Sequence, residues 1–187
     1  MTPRGRGGDV GWTIAAVLAW SLTPAVASAQ EAWLGLFGHD LPIGIADCCF
    51  ERGMDIQAGL RTGPLVAVPP FGELRVYGLG SVNTLGGVPF AAAGAAWRWP
   101  IGTSGFYLQP GLGAAVQFGS DAKYQVRPDQ LYLGSRVLFE PELSLGWRAD
   151  RRWAIEAAYV HLSHAQLAGR QNPGLDDVGV RAVYTFH

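Results

Sequence analysis

The stretch HLSHAQLAGRQNPGLDD, residues 161–177, concentrates the side chains best able to do chemistry. His161 and Ser163 stand two apart, which in a strand puts them on one face. Asn172-Pro173-Gly174 reads as a turn, and Asp176 and Asp177 follow it. A serine hydroxyl becomes a nucleophile when a base takes its proton. Imidazole is such a base, and a carboxylate holds the ring in the correct tautomer. His161, Ser163 and Asp176 are therefore candidates for ester hydrolysis. His-x-Ser alone has little specificity, and the same residues also suit a polar strand end beside an ordinary turn.

Other chemistries find less support. The four histidines (39, 161, 164 and 187) show no metal-ligand spacing, and His161 and His164, three apart, fall on opposite faces of a strand. No metal or organic cofactor is expected. Cys48 and Cys49 are the only cysteines, and adjacent cysteines bond each other only with strain. They read as loop residues, or as a strained, redox-labile pair, and not as a disulfide framework. The chain carries 14 Lys and Arg against 15 Asp and Glu, so nothing in its charge favours a nucleic-acid partner.

The elements that must position these residues begin after an export signal. Arg4 and Arg6 precede the apolar run GWTIAAVLAW, and Ala27 and Ala29 form an A-x-A cleavage site. Residues 1–29 read as a signal peptide, and residues 30–187 as one domain. No later run is apolar and long enough for a membrane helix. An exported, apolar, glycine-rich chain without helical spans suits an outer-membrane β-barrel.

The period of the chain is two. Strands are predicted over 31–38, 53–62, 71–80, 88–98, 105–118, 131–148, 152–163 and 175–186, an all-β, eight-stranded antiparallel transmembrane barrel. In 131–148 the odd positions are largely apolar from Leu131 to Trp147, whereas Arg136, Glu140, Glu142 and Arg148 share the even face. In 54–61 Met54, Ile56, Ala58 and Leu60 alternate with Asp55, Gln57, Gly59 and Arg61. The charges are predicted to point inward and pair there, the apolar faces to meet lipid. A soluble periplasmic ligand-binding barrel has the same period with the faces reversed, so alternation does not separate the two. Trp33, Trp97, Trp99, Trp147 and Trp153 near strand ends suit interfacial girdles and favour the membrane.

With the N-terminus in the periplasm, the residue 161–177 stretch lies at the extracellular end of the last two strands. By parity His161, Ser163 and Asp176 face outward, toward the outer leaflet. Titratable groups facing lipid are costly, and so suggest a functional role. A site on the wall meets a substrate still embedded in the leaflet.

The segment resembles the C-terminal signature of the outer-membrane lipid A 3-O-deacylases, the PagL-like family. The residues that carry this are His161-Leu162-Ser163, Asn172-Pro173-Gly174-Leu175-Asp176 and the final VYTF, with similarity over roughly 137–186. The resemblance implies Ser163 as nucleophile, His161 as general base, Asp176 as the orienting acid and Asn172 in the oxyanion region, with backbone amides near His164 and Ala165. It implies lipid A, or lipopolysaccharide, of a Gram-negative outer membrane as substrate. His164 departs from the family, whose best-known members carry asparagine there. A barrel that kept the fold and lost the activity is the alternative.

Overall fold

Side chains that alternate apolar and polar make strands, and a computed structural model of the protein contains no other regular element among its described residues, 29–186 except 48, 121, 125 and 171. The expected signal peptide and Cys48 lie outside the described residues, apart from Ala29. The strands are β1 (Ala29–Gly38), β2 (Met54–Thr62), β3 (Val66–Val68), β4 (Gly72–Asn83), β5 (Phe90–Pro100), β6 (Phe106–Gln117), β7 (Val137–Arg148), β8 (Trp153–Leu162) and β9 (Leu175–Thr185). Their order is β2-β1-β9-β8-β7-β6-β5-β4-β3, and β2 also pairs with β4. That last pairing closes an eight-stranded antiparallel barrel, with β3 a three-residue ribbon on β4 inside the connection 63–71.

The exterior is apolar. Leu34, Leu36, Ile56, Val82, Leu112, Val137, Phe139, Leu143, Leu145, Ile155 and Val180 are all exposed. Trp99, Phe106, Trp147 and Trp153 sit exposed beside the short turns at 101–105 and 149–152, as an interfacial girdle requires. Trp33, expected in that girdle, is instead buried inside with the Arg61 guanidinium 4.8 Å from its ring centroid. It shares the inward parity of Glu31 and Phe37.

The interior is a paired charge network, because an unpaired charge away from water is far more costly than a paired one. Arg61 reaches Glu31 at 3.0 Å and Glu156 at 2.9 Å, while Arg98 donates to both oxygens of Glu31 at 2.8 and 2.9 Å. Arg181 donates to Glu142 at 2.7 Å, Tyr107 donates to Glu156 at 2.7 Å, and Tyr77 donates to Glu140. Glu140 and Glu142 thus point inward as their parity predicts, and half-buried Arg148 lies 3.8 Å from Glu31. Arg136 does not: it is exposed, because β7 starts one residue later. The expected strand 131–148 is shortened for a local reason. Gly134 takes a φ of 71°, which breaks the strand, and Leu131 and Leu133 leave the lipid face to join the buried apolar cluster.

Long connections 39–53, 118–136 and 163–174 and the shorter 84–89 cluster at one end, and the turns at the other. The long-loop end holds the residues that could react.

Candidate active site

β8 and β9 pair so that His161 lies directly opposite Asp176. Cross-strand partners share a face, so parity along β9 decides which one. Asp177 and Arg181 are buried within the barrel, while Val180 and Ala182 are exposed on the wall. Asp176 has the parity of the wall. The β7–β8 register, Glu142 against Val160, carries through to a bridge between Phe139 and Ser163. Ser163 therefore keeps the parity of His161, on the face of exposed Phe139.

His161 Nδ1 lies 2.6 Å from Asp176 Oδ1. An ionised carboxylate only accepts, so Nδ1 donates, and the Nε2 lone pair is left to act as a base. Tyr159 Oη donates to the same Oδ1 at 2.7 Å, and the amide of Ala46 donates to Oδ2 at 3.0 Å. The carboxylate is thus held at both oxygens. Tyr159 sits two residues before His161 on the same face, and parity alone could have found it. Nothing in the sequence pointed to Ala46, which is distant in the chain.

The connection 39–53 reaches Asp176 by folding down over the wall. The amide of Leu41 donates to the Asp176 carbonyl at 2.9 Å, and that of Asp47 to the Pro173 carbonyl at 2.7 Å. Two glycines permit the approach. A Cβ on Gly44 would overlap Asp176 Oδ2 and Tyr159 Oη, and one on Gly174 would meet His161 Cε1 at 3.0 Å and Ala46 Cβ at 3.1 Å. As a result His161 is 4 % exposed and Asp176 0 %. The expectation of side chains open to lipid is corrected here: they belong to the outer wall but lie under this cover, with Ser163 half-buried beside them.

After Ser163 the chain turns sharply. Ala165 and Gln166 adopt φ of 51° and 62°, a left-handed pair without glycine, and such backbone cost tends to cluster at functional positions. Asn172 Oδ1 accepts the His164 amide at 3.0 Å, and His164 Nδ1 accepts the Ala168 amide at 3.3 Å. The His164 amide, expected near the oxyanion, is therefore engaged by Asn172. The same bond fixes the orientation of the Asn172 side-chain amide. His161 and Ser163 form no hydrogen bond with each other among the described residues, and looser geometry without substrate is common.

Cavities of about 520 and 300 Å³ lie elsewhere, the larger among residues 49–52, 85–87 and 127–130, the smaller at the turn end beside Pro69 and Arg148. Neither is lined by His161, Ser163 or Asp176. The three residues belong to the wall, with His161 and Asp176 covered and Ser163 half-buried.

Comparison with known proteins bears on this arrangement. No curated protein matches the chain. Among solved structures, the crystal structure of the outer membrane enzyme PagL superposes with a TM-score of 0.61 at 15 % identity, covering 82 % of this chain and 97 % of that one. The N-terminal β-barrel domain of Pseudomonas aeruginosa OprF gives 0.49 at 11 % identity, covering 84 % and 98 %. Neisserial surface protein A gives 0.48 at 9 %, covering 83 % and 95 %. The likeness to the PagL crystal structure speaks for the fold alone. The model of the family described as lipid A 3-O-deacylase (PagL) matches residues 56–185, most of the barrel, and the chain belongs to that family.

Proposed function

We propose that the protein is an outer-membrane esterase that hydrolyses the 3-O-linked acyl chain of lipid A, with Ser163 as nucleophile, His161 as general base and Asp176 as orienting acid. The observation that carries this reading is the 2.6 Å contact between His161 and Asp176 on the barrel wall, with Ser163 on the same face. Family membership supplies the substrate class.

The chemistry follows from the hydrogen bonds. Asp176 keeps the proton of His161 on Nδ1, so Nε2 accepts the proton of Ser163 as the hydroxyl oxygen attacks the ester carbonyl. The carbonyl oxygen becomes an oxyanion. The Nδ2 group of Asn172 and the amide of Ala165 are the donors assigned to it, one such donor being worth about 2.7–4 kcal/mol. His161 returns the proton to the departing 3-hydroxyl of the sugar. Water, deprotonated by the same Nε2, then releases the fatty acid and regenerates Ser163. Asp176 compensates the imidazolium throughout and need not be protonated. A site on the wall needs no extraction of the substrate from the leaflet.

The test is mass spectrometry of lipid A from Gram-negative cells expressing the wild type or Ser163→Ala, with fractionation of the membranes. Loss of one 3-O-linked acyl chain with the wild type alone is expected. Unchanged lipid A in both, with equal folded protein in the outer membrane, assigns the barrel a non-catalytic structural role. Recovery in the soluble periplasmic fraction overturns the membrane reading.

A further inference from the structure

We propose that His39, Asp55 and Asp177 bind a divalent transition-metal cation of the zinc class, inside the mouth of the barrel and behind the wall that carries Asp176. This goes beyond the esterase reading and does not depend on it. His39 follows β1, Asp55 is near the start of β2 and Asp177 near the start of β9, so the residues come from three neighbouring strands. Their candidate ligand atoms lie within 4.8 Å of one another. His39 Nδ1 is 3.0 Å from Asp55 Oδ1 and 3.6 Å from Asp177 Oδ1. Ligands about 2.0–2.1 Å from a tetrahedral cation stand roughly 3.3 Å apart, a value between these two spacings. The imidazole favours a transition metal over calcium or magnesium, which prefer oxygen throughout.

The tautomer is set for such a role. His39 Nε2 donates to Glu51 Oε2 at 3.0 Å. Glu51 is itself fixed by the amides of Val88 at 2.7 Å and Leu131 at 3.0 Å. A carboxylate behind the ring is the usual partner of a metal-bound histidine, and it turns the other nitrogen toward the metal. That nitrogen, Nδ1, is buried and forms no well-aligned hydrogen bond despite its proximity to Asp55. Asp177 Oδ2, in a side chain 1 % exposed, is also without a hydrogen-bond partner.

Charge points the same way. Glu51, Asp55 and Asp177 are buried around a single imidazole. The interior arginines are committed deeper in the barrel, Arg181 to Glu142 and Arg61 and Arg98 to Glu31. A bound cation would tie connection 39–53 to β2 and β9, and that connection carries the Ala46 amide to Asp176. The histidine spacing along the chain could not reveal this set, because two of its three members are aspartates brought in by strand pairing.

The experiment is metal loading during refolding. Chain denatured with EDTA is refolded in detergent without metal or with Zn²⁺, Co²⁺, Ca²⁺ or Mg²⁺, desalted, and analysed for metal content and for heat-modifiable migration, which reports the folded barrel. About one zinc per folded wild-type chain is expected, with a thermal unfolding temperature above that of the metal-free form. His39→Gln and Asp177→Asn should each lower bound zinc at least ~10-fold at equal folded protein. Folded wild type that retains no zinc overturns the proposal and leaves His39 as an imidazolium held by carboxylates. Retention of calcium or magnesium in place of zinc overturns the transition-metal assignment. If a variant does not fold, wild-type loading and the visible spectrum of the cobalt form decide, a weak octahedral spectrum or none counting against the site. Lipid A enters no measurement, so the outcome is separate from that of the esterase.

Discussion

Gly44→Ala is the sharpest probe of how the acid is held. A Cβ at position 44 would overlap Asp176 Oδ2 and Tyr159 Oη, and would stand only 2.5 Å from Asp176 Cγ. Ordinary contact begins near 3.4 Å, so the two must separate by roughly 0.9 Å, which stretches the 3.0 Å Ala46–Asp176 bond to about 3.9 Å and breaks it. Either the loop lifts or the carboxylate swings away from His161. A hydrogen bond to a charged group contributes about 1.5–3 kcal/mol. At 1.36 kcal/mol per decade, deacylation should fall roughly 10- to 150-fold. The barrel should persist, because residue 44 lies outside every strand. The assay is the fraction of lipid A lacking its 3-O-acyl chain over time, with heat-modifiable migration as the folding control. Gly169→Ala is the matched control, since a Cβ there has nothing within 4 Å. Full activity in Gly44→Ala, with the barrel folded, would refute the view that this loop positions Asp176.

The remaining predictions use the same assays. Tyr159→Phe removes one donor to Asp176 and should slow deacylation about tenfold while leaving the barrel intact; an unchanged rate removes Tyr159 from the positioning of the acid. His161→Ala should abolish the reaction as fully as Ser163→Ala, because base and nucleophile act as a unit, whereas Asp176→Ala should retain more; equal residual rates in all three would place the acid inside that unit. His164→Asn should keep or raise activity, since asparagine can accept the Ala168 amide that His164 Nδ1 accepts; inactivation would show that the imidazole has its own role. Glu156→Ala leaves Arg61 without its 2.9 Å partner inside the barrel, and should cost about 3–5 kcal/mol, read as a lower unfolding temperature; an unchanged midpoint would mean that the network re-pairs.

The cover over the His161–Asp176 pair has a physical consequence. A carboxylate on a lipid-facing wall would ordinarily be protonated or hydrated. Here the Tyr159 hydroxyl, the Ala46 amide and the His161 ring hydrogen-bond its two oxygens in place of water. The cover leaves Ser163 half-buried rather than sealed, next to the left-handed turn at Ala165 and Gln166.

Alternation along the chain was enough to mark the strands. Asp55, Gln57 and Arg61 against Met54 and Ile56, and Glu140 and Glu142 against Phe139 and Leu143, marked the strands and gathered the charges on one face, because a side-chain period of two sends alternate residues to opposite faces; which face lies inside was decided by closure of the barrel. The same parity put His161, Ser163 and Asp176 on one wall, and the residue types suggested the chemistry. Parity failed where the chain left the sheet. Arg136 and Leu131 were assigned to faces of a strand that Gly134 had already broken, and Trp33 was read by its nearness to a strand end and not by its face. What the sequence could not supply were contacts between segments far apart in the chain. Gly44 and Ala46 reach Asp176, and His39 meets Asp55 and Asp177, only because β1 lies between β2 and β9. Local pattern encodes which way a side chain points; which distant atom it then meets is decided by closure of the barrel and the path of the loop that the closure constrains.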